Sequence, residues 1–380
     1  NTYLPKLVKA GMRVAICDQL EDPKMTKTIV KRGVTELVTP GVSMNDEVLN
    51  SQSNNFLASI YFGKKNIGVA FLDVSTGEFL TAQGNEEYID KLLQNFNPSE
   101  VLVPKINKSE FKLTFGEDFH VFYLEDWIYK EEYAFELLTN HFQTNSLKGF
   151  GVEDLQEGII ASGAALYYLS ETQHNRIQHI SILQRIAEDA YVWMDRFTIR
   201  NLELYQSYNP NAVTLLDVID KTISPMGSRL LKRWLALPLK DMKVIQKRHQ
   251  VVAYLKDNKD LLKNIQYQIK QISDLERLIS KIAAGKVSPR EVIYLKEELE
   301  LMLPLWKNIK ASSVVIQGTA DNLVHPGNGP FADSMLVNAP KEIIMLDSQN
   351  HFLPWNETVL VKKTMLDMLI NLKSKKTPKP

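Results

Sequence analysis

Cysteine is nearly absent from this chain: Cys17 is the only one in 380 residues. A lone thiol makes neither an internal disulfide nor a CxxC pair, which excludes a disulfide-stapled secreted scaffold and a cysteine-built zinc site. Net charge is missing too, because 45 Lys and Arg meet 45 Asp and Glu. That removes the whole-chain basic excess of a simple electrostatic nucleic-acid binder and leaves only local patches to consider. Long apolar runs are also lacking: stretches such as residues 69–72 fall far short of the roughly 18 residues that span a bilayer, and no charged-then-apolar leader opens the sequence. These absences predict a soluble chain in a reducing cytoplasm with no membrane partner. At roughly 150 residues per domain, the length predicts two or three domains. The sequence opens on Asn1 rather than Met, and residues 3–8 resemble the end of an amphipathic segment, so it is expected to begin inside a longer gene.

Four textures follow one another. Residues 1–41 combine a short helix with strand-like pieces at 13–17 and 33–39 and close on the turn signal Thr39-Pro40-Gly41. From Asn55 the pattern becomes β-like. Strands at 56–62 and 68–74, the turn Ser75-Thr76-Gly77, and a partner strand at 78–81 predict a β-hairpin, followed by a helix at 90–96 and a buried strand at 101–104. This order predicts an α/β domain over 42–150. Residues 151–305 turn to long helices. One covers 159–172, another starts at Ser224-Pro225 with Ser as N-cap and Pro at the first helical position, and a third opens on the capping box Ser288-Pro289-Arg290-Glu291. Its stripe Val292, Leu295, Leu299 and Met302 predicts a helix running to about Leu303, where Pro304 should end or kink it. After residue 306, strands at 313–317 and 342–346, with helices at 331–337 and 358–372 and the basic tail Lys373-Ser374-Lys375-Lys376, predict a separate small α/β unit with its two strands parallel.

Several strings then resemble one family. Gly11-Met12-Arg13-Val14-Ala15-Ile16-Cys17-Asp18-Gln19-Leu20-Glu21-Asp22-Pro23 with Val38-Thr39-Pro40-Gly41 resembles the end of the mismatch-binding domain of the MutS family of DNA mismatch-recognition proteins. Leu72-Asp73-Val74-Ser75-Thr76-Gly77-Glu78-Phe79 and Asn97-Pro98-Ser99-Glu100 are similar to its connector domain. Arg200-Asn201-Leu202-Glu203-Leu204, Thr214-Leu215-Leu216-Asp217, Pro225-Met226-Gly227-Ser228-Arg229-Leu230-Leu231 and Asp274-Leu275-Glu276-Arg277 resemble its helical core. Each string alone is weak; as a collinear set over about 1–300 they are specific. The resemblance implies a ribonuclease H-like connector and a helical lever. For the intact protein it implies mismatched double-stranded DNA, a second MutS subunit and MutL as partners, with ATP and Mg as cofactors. The Phe-x-Glu wedge of that family is expected before residue 1, and no G-x-x-x-x-G-K-[ST] loop occurs in the 380 residues, so this chain is expected neither to wedge into a mismatch nor to hydrolyse ATP.

The last stretch, about 305–380, resembles instead the carboxy-terminal part of an α/β-hydrolase. Asp321 and His351 match that family's acid and base. No G-x-S-x-G nucleophile elbow accompanies them, so no acyl-enzyme is expected. The junction is expected between 291 and 310, and a joined or truncated reading frame accounts for the missing start, nucleophile and ATPase together.

The remaining candidates are cations, carboxylates and imidazoles. Residues 1–41 hold seven basic against four acidic side chains, a local charge of +3, and Lys27, Lys31 and Arg32 are placed to meet DNA phosphates if that face is more than a solvated surface. Arg229, Lys232 and Arg233 fall at i, i+3 and i+4 as a basic stripe, for which a scaffold role is expected over phosphate contact. Asp73 could be offered as a metal ligand, but with Glu78 as the only acidic neighbour in the hairpin a turn-stabilising role is expected. His174 and His179, five apart, lack helical ligand spacing.

Overall fold

The structure, a computed structural model, describes residues 3–21, 29–172, 177–209, 211–307, 313–318 and 341–346, with side chains described as far as residue 301. It divides into two compact units, Asn1–Val292 and Ile293–Pro380. The first begins with helix α1 (Leu4–Lys9), which carries Pro5 in its first turn, and an antiparallel pair, β1 (Val14–Gln19) and β2 (Arg32–Val38), that registers Val14 with Val38 and Gln19 with Arg32. Val8 and Val38 are buried beneath this small layer.

The α/β layer follows. Strands β3 (Leu57–Phe62), β4 (Ile67–Asp73) and β5 (Glu78–Gly84) form an antiparallel meander; helix α2 (Glu86–Phe96) leads to β6 (Glu100–Pro104), and α3 (Lys108–Phe115) leads to β7 (Val121–Leu124). β6 lies parallel to β3 and β7 parallel to β6, and the strand order is β7-β6-β3-β4-β5, closed at the other edge by the short β8 (Gln184–Arg185). The central strand β4 is buried over its whole length because both faces of the sheet are covered. One face packs Ile60, Val69, Phe71 and Leu80 against Tyr88, Ile89, Leu92 and Leu93 of α2 and Phe111 of α3. The other receives α5 (Gln156–Glu171), itself backed by α4 (Glu131–Phe142). The helix expected to open the helical segment at 159–172 is thus a covering layer of the sheet. The change of texture at 150 is a change from strands to helices within one α/β body, since an apolar sheet face must be covered by something.

Short helices α6 (Arg196–Asn201) and α7 (Leu215–Ile219), then α8 (Pro225–Ala236), α9 (Met242–Asp257), α10 (Lys259–Lys270), α11 (Leu275–Ala283) and α12 (Pro289–Lys307) make the expected helical segment. Their starts are chemically marked. Asp195, Thr214, Ser224, Asp241 and Asp274 each accept a backbone N–H from the first turn they cap, and Thr214 with Asp217 completes a capping box. The box at Ser288 is present as expected: Glu291 accepts from the Ser288 backbone N–H at 2.7 Å, and Ser288 accepts from Glu291 N–H at 3.3 Å. α12 does not stop at Leu303 but continues through Pro304 to Lys307, a correction to the expected end. A proline forfeits one backbone donor, and with only three residues of helix after it the loss is confined to the last turn.

In the second unit, β9 (Ser313–Gly318) and β10 (Lys341–Leu346) pair in parallel, Ser313 opposite Lys341, as the sequence pattern predicts. Asp321, His351 and the helices expected at 331–337 and 358–372 lie outside the described residues.

Candidate functional site

The densest polar chemistry of the first unit is a buried charge cluster joining the sheet's β4–β5 turn, the loop before β3, and helices α8 and α11. It starts at Asp73, the last residue of β4. Its carboxylate accepts from Ser75 N at 2.9 Å and Ser75 Oγ at 2.7 Å, which closes the turn, and from Asn54 Nδ2 at 3.0 Å and Asn55 N at 3.1 Å, which anchors the preceding loop. Every strong acceptor direction is occupied by local donors, the geometry of a turn-stabilising carboxylate. Glu78, opening β5, accepts from Asn54 Nδ2 at 3.2 Å and pairs with Arg233.

On α8 the i, i+3, i+4 cations do not form a solvent-facing stripe. Ser224 and Pro225 fix where the helix starts, and Arg229 lies on its inner side, 4% exposed. Its guanidinium donates to both oxygens of Asp274 at 2.7 Å, to Glu276 at 2.6 Å, and to the Ser51 carbonyl at 2.8 Å. The two carboxylates hold Arg229 more firmly protonated against the opposing effect of burial. Asp274 is at once the N-cap of α11, accepting from Arg277 N at 3.4 Å. Arg277 in turn donates to the Ser53 carbonyl at 2.8 Å, and Lys281, one turn on, pairs with Asp46 and with Glu291 at 3.0 Å. Three cations of α8 and α11 therefore pin the 46–53 loop. Such a bidentate fork is a positional lock, because it holds only in one register.

A second hub ties residues 39–41 to the sheet. Glu100, 3% exposed at the start of β6, accepts from Thr39 Oγ1 at 2.5 Å, Gly41 N at 3.0 Å and Tyr168 Oη of α5 at 2.6 Å. Burial pushes the Tyr168 phenol far up, and the adjacent Glu100 carboxylate pushes it further. Arg13 lies over the Phe122 ring at 3.8 Å and extends this contact to β1.

Of the DNA-facing candidates, Lys27 lies outside the described residues. Lys31 is exposed, 3.8 Å from Glu21, and Arg32 is exposed at the start of β2. His174 also lies outside the described residues, while His179 makes a 2.8 Å hydrogen bond to the Val74 carbonyl behind the β4–β5 turn. Phe115-Gly116-Glu117 spells Phe-x-Glu, but Phe115 is buried in the α/β core beside Phe111 and cannot act as a wedge. Glu100, Tyr168 and the Arg229 to Asp274 pairing are the buried polar anchors that sequence reasoning did not single out. The string Asp274-Leu275-Glu276-Arg277 was visible, but its partners lie 45 or more positions away. Among the described residues no helix is long and apolar enough to cross a membrane.

The geometry is that of a layered α/β body joined by buried ion pairs to a helical segment. Family models agree with that division: residues 1–47 match MutS domain I, 55–181 MutS domain II and 197–342 MutS domain III. The chain belongs, over these stretches, to the MutS family of DNA mismatch repair proteins. It is 83% identical over 305 residues to the DNA mismatch repair protein MutS of Flavobacterium johnsoniae, covering 80% of this chain and 35% of that protein. It is 69% identical over 324 residues to that of Christiangramia forsetii, with 85% and 37% covered, and 58% identical over 305 residues to that of Bacteroides thetaiotaomicron, with 80% and 35% covered. The chain thus spans little more than a third of the length of these relatives. The domain III match runs to 342, beyond the junction expected at 291–310.

Proposed function

We propose that this chain supplies the linking part of a mismatch-recognition protein: the end of the mismatch-binding domain, the connector and part of the helical core, held as one mechanical path. The observation that carries this reading is the Arg229 cluster, in which one guanidinium holds the 46–53 loop and the cap of α11 together. The strand order, three antiparallel strands followed by two parallel ones on the β3 side, supports a ribonuclease H-like connector. For the whole protein the reading assigns mismatched double-stranded DNA, a second MutS subunit and MutL as partners, ATP and Mg as cofactors of a domain other than these, and a cytoplasmic location. Helices α9 and α10 bury none of their side chains, and Val251, Val252, Tyr254 and Tyr267 are exposed, as suits helices that pack on further chain.

By itself the chain is assigned weak, salt-sensitive DNA binding through Lys27, Lys31 and Arg32, indifferent to mismatches, and no ATPase activity. Titration of matched and single-mismatch duplexes at low and moderate salt tests this. A tenfold preference for the mismatch, about 1.4 kcal/mol, would overturn it.

A second reading for 306–380, a partial α/β-hydrolase-like unit carrying Asp321 and His351 without a nucleophile, rests on the resemblance of its residues alone, and the domain III match reaches into that stretch as far as 342. The unit is assigned no esterase activity. Cleavage of a p-nitrophenyl ester that His351→Ala abolishes would refute that assignment.

A further inference from the structure

A cleft of about 320 Å³ opens between α1, the end of α2, the start of β7 and α8. Lys9, His120 and Lys232 line it together with Asn50, Asn97 and the Phe96 ring, and no Asp or Glu does. That composition stands out in a chain with equal numbers of acids and bases, and next to a cluster in which Arg229 and Arg233 are both matched to carboxylates. Lys232, between those two arginines on α8, has no such match. Among the described residues no carboxylate lies close enough to offset its burial, which pushes its amine below the usual lysine range. It also lines a smaller cavity of about 40 Å³ beside Phe56, Phe96 and Leu237, so its stem runs along apolar surface toward the cleft. The His120 ring lies close against Gly11, where an added Cβ would stand 2.7 Å from its Cε1. One ring N–H of His120, the ammonium groups of Lys9 and Lys232 and the amides of Asn50 and Asn97 make a donor-rich wall. A half-desolvated ammonium gains most from an anionic partner in a site of reduced dielectric. A space of this size suits a mononucleotide-sized compound rather than a macromolecule.

We propose that this cleft binds a small phosphorylated ligand of mononucleotide size, with Lys9, His120 and Lys232 around the phosphoryl group and Phe96 offering an apolar face to the remainder. None of Lys27, Lys31 and Arg32 lines the cleft, and the proposal stands or falls independently of the mismatch-repair reading. The same phosphoryl chemistry is found in DNA backbone, so the test must distinguish a free ligand from a duplex.

Thermal unfolding of the 380-residue chain is followed in sodium pyrophosphate, AMP, adenosine or a short DNA duplex at matched ionic strength, with acylation of individual lysines read by mass spectrometry. AMP and pyrophosphate are expected to raise the unfolding temperature saturably and to shield Lys232 and Lys9, while adenosine does neither. Lys232→Met should weaken the apparent AMP affinity at least tenfold, and Lys9→Gln, at an exposed position that leaves the fold untouched, should weaken it severalfold. Absence of a saturable shift with AMP and pyrophosphate, shielding by the duplex alone, or undiminished AMP binding in Lys9→Gln together with unshielded Lys232 would overturn the assignment.

Discussion

Arg229 and Asp274, 45 residues apart, meet through two parallel hydrogen bonds of 2.7 Å, and the same guanidinium reaches the Ser51 carbonyl in the loop before β3. The pair is where the helical segment grips the α/β body. Removing one partner leaves the other charge without its complement in a shielded place, which costs about 3 kcal/mol or more. Arg229→Met is therefore expected to lower the stability of the first unit by about that amount in urea unfolding. Arg229→Lys should recover only part of the loss, since an ammonium keeps the charge and loses the fork. A loss below about 1 kcal/mol for Arg229→Met would place the pair among ordinary surface bridges and remove its locking role.

Glu100 and Tyr168 offer a second, chemically different lock. The phenol donates to a carboxylate that also serves Thr39 and Gly41, so Tyr168→Phe leaves a buried charged acceptor one donor short. A hydrogen bond to a charged group contributes about 1.5–3 kcal/mol, and Tyr168→Phe should destabilise by about 2 kcal/mol on that scale. Because the other oxygen of the same carboxylate, Oε2, holds residues 39 and 41, a Glu100 side chain released by Tyr168 should loosen them, and amide exchange at Gly41 should accelerate in the variant. Unchanged exchange there would show that Thr39 and Gly41 are held by something else.

Much of this architecture was legible in the sequence wherever structure is local. The hairpin around Ser75-Thr76-Gly77, the capped start at Ser224-Pro225 and the box at Ser288 all depend on residues within four positions of one another, and they stand where the pattern puts them. α3, β7 and α4 gave no comparable signal, because short elements with mixed polarity take their identity from the sheet they cover. Nor could the α8 stripe be oriented from spacing alone. Arg229 turns inward because Asp274 and Glu276 wait for it, and nothing local announces a partner 45 positions on. Glu100 illustrates the same limit, since a lone acid at a strand start is ordinary until Thr39, Gly41 and Tyr168 are brought around it.

The start of α12 should respond to acid. Hydrogen bonds from Ser288 backbone and side chain, then Lys281, pull the Glu291 carboxyl from its usual 4.5 down to about 2. A carboxylate whose pKa is depressed in the folded state stabilises that state fully above its unfolded value and loses the contribution as pH falls through the folded one. The cap's stabilisation should therefore be complete above about pH 4.5 and fade between there and about pH 2. Comparing Glu291→Gln with the parent across that range, the two unfolding free energies should converge toward pH 2 and separate above pH 4.5. A gap independent of pH would mean that the glutamate acts through shape and not through charge.

The last prediction concerns how closely sheet and helix approach. β4 passes α5 at Gly68, where a Cβ would stand 2.0 Å from the Glu157 carbonyl oxygen and 2.6 Å from Gly158 N. The neighbours are backbone, so no side chain can swing aside. The same crossing is held by Thr81 Oγ1 donating to the Gly158 carbonyl at 3.0 Å and by Glu157 N donating to Gln83 Oε1 at 3.1 Å. Gly68→Ala must push α5 off the sheet and stretch those bonds, and overpacking of this kind costs about 1–3 kcal/mol. Gly116 makes the contrast: its φ of +85° strains any other residue, yet nothing lies within 4 Å of an added Cβ. With ψ at −166° as well, Gly116→Ala should cost about 1–3 kcal/mol through backbone strain alone, without disturbing the core. Both variants should therefore lose stability in urea unfolding, and amide exchange at Glu157 should rise only in Gly68→Ala. Glu157 still protected in Gly68→Ala would mean that α5 is free to shift and that the helix is a loose cover and no structural part of the sheet.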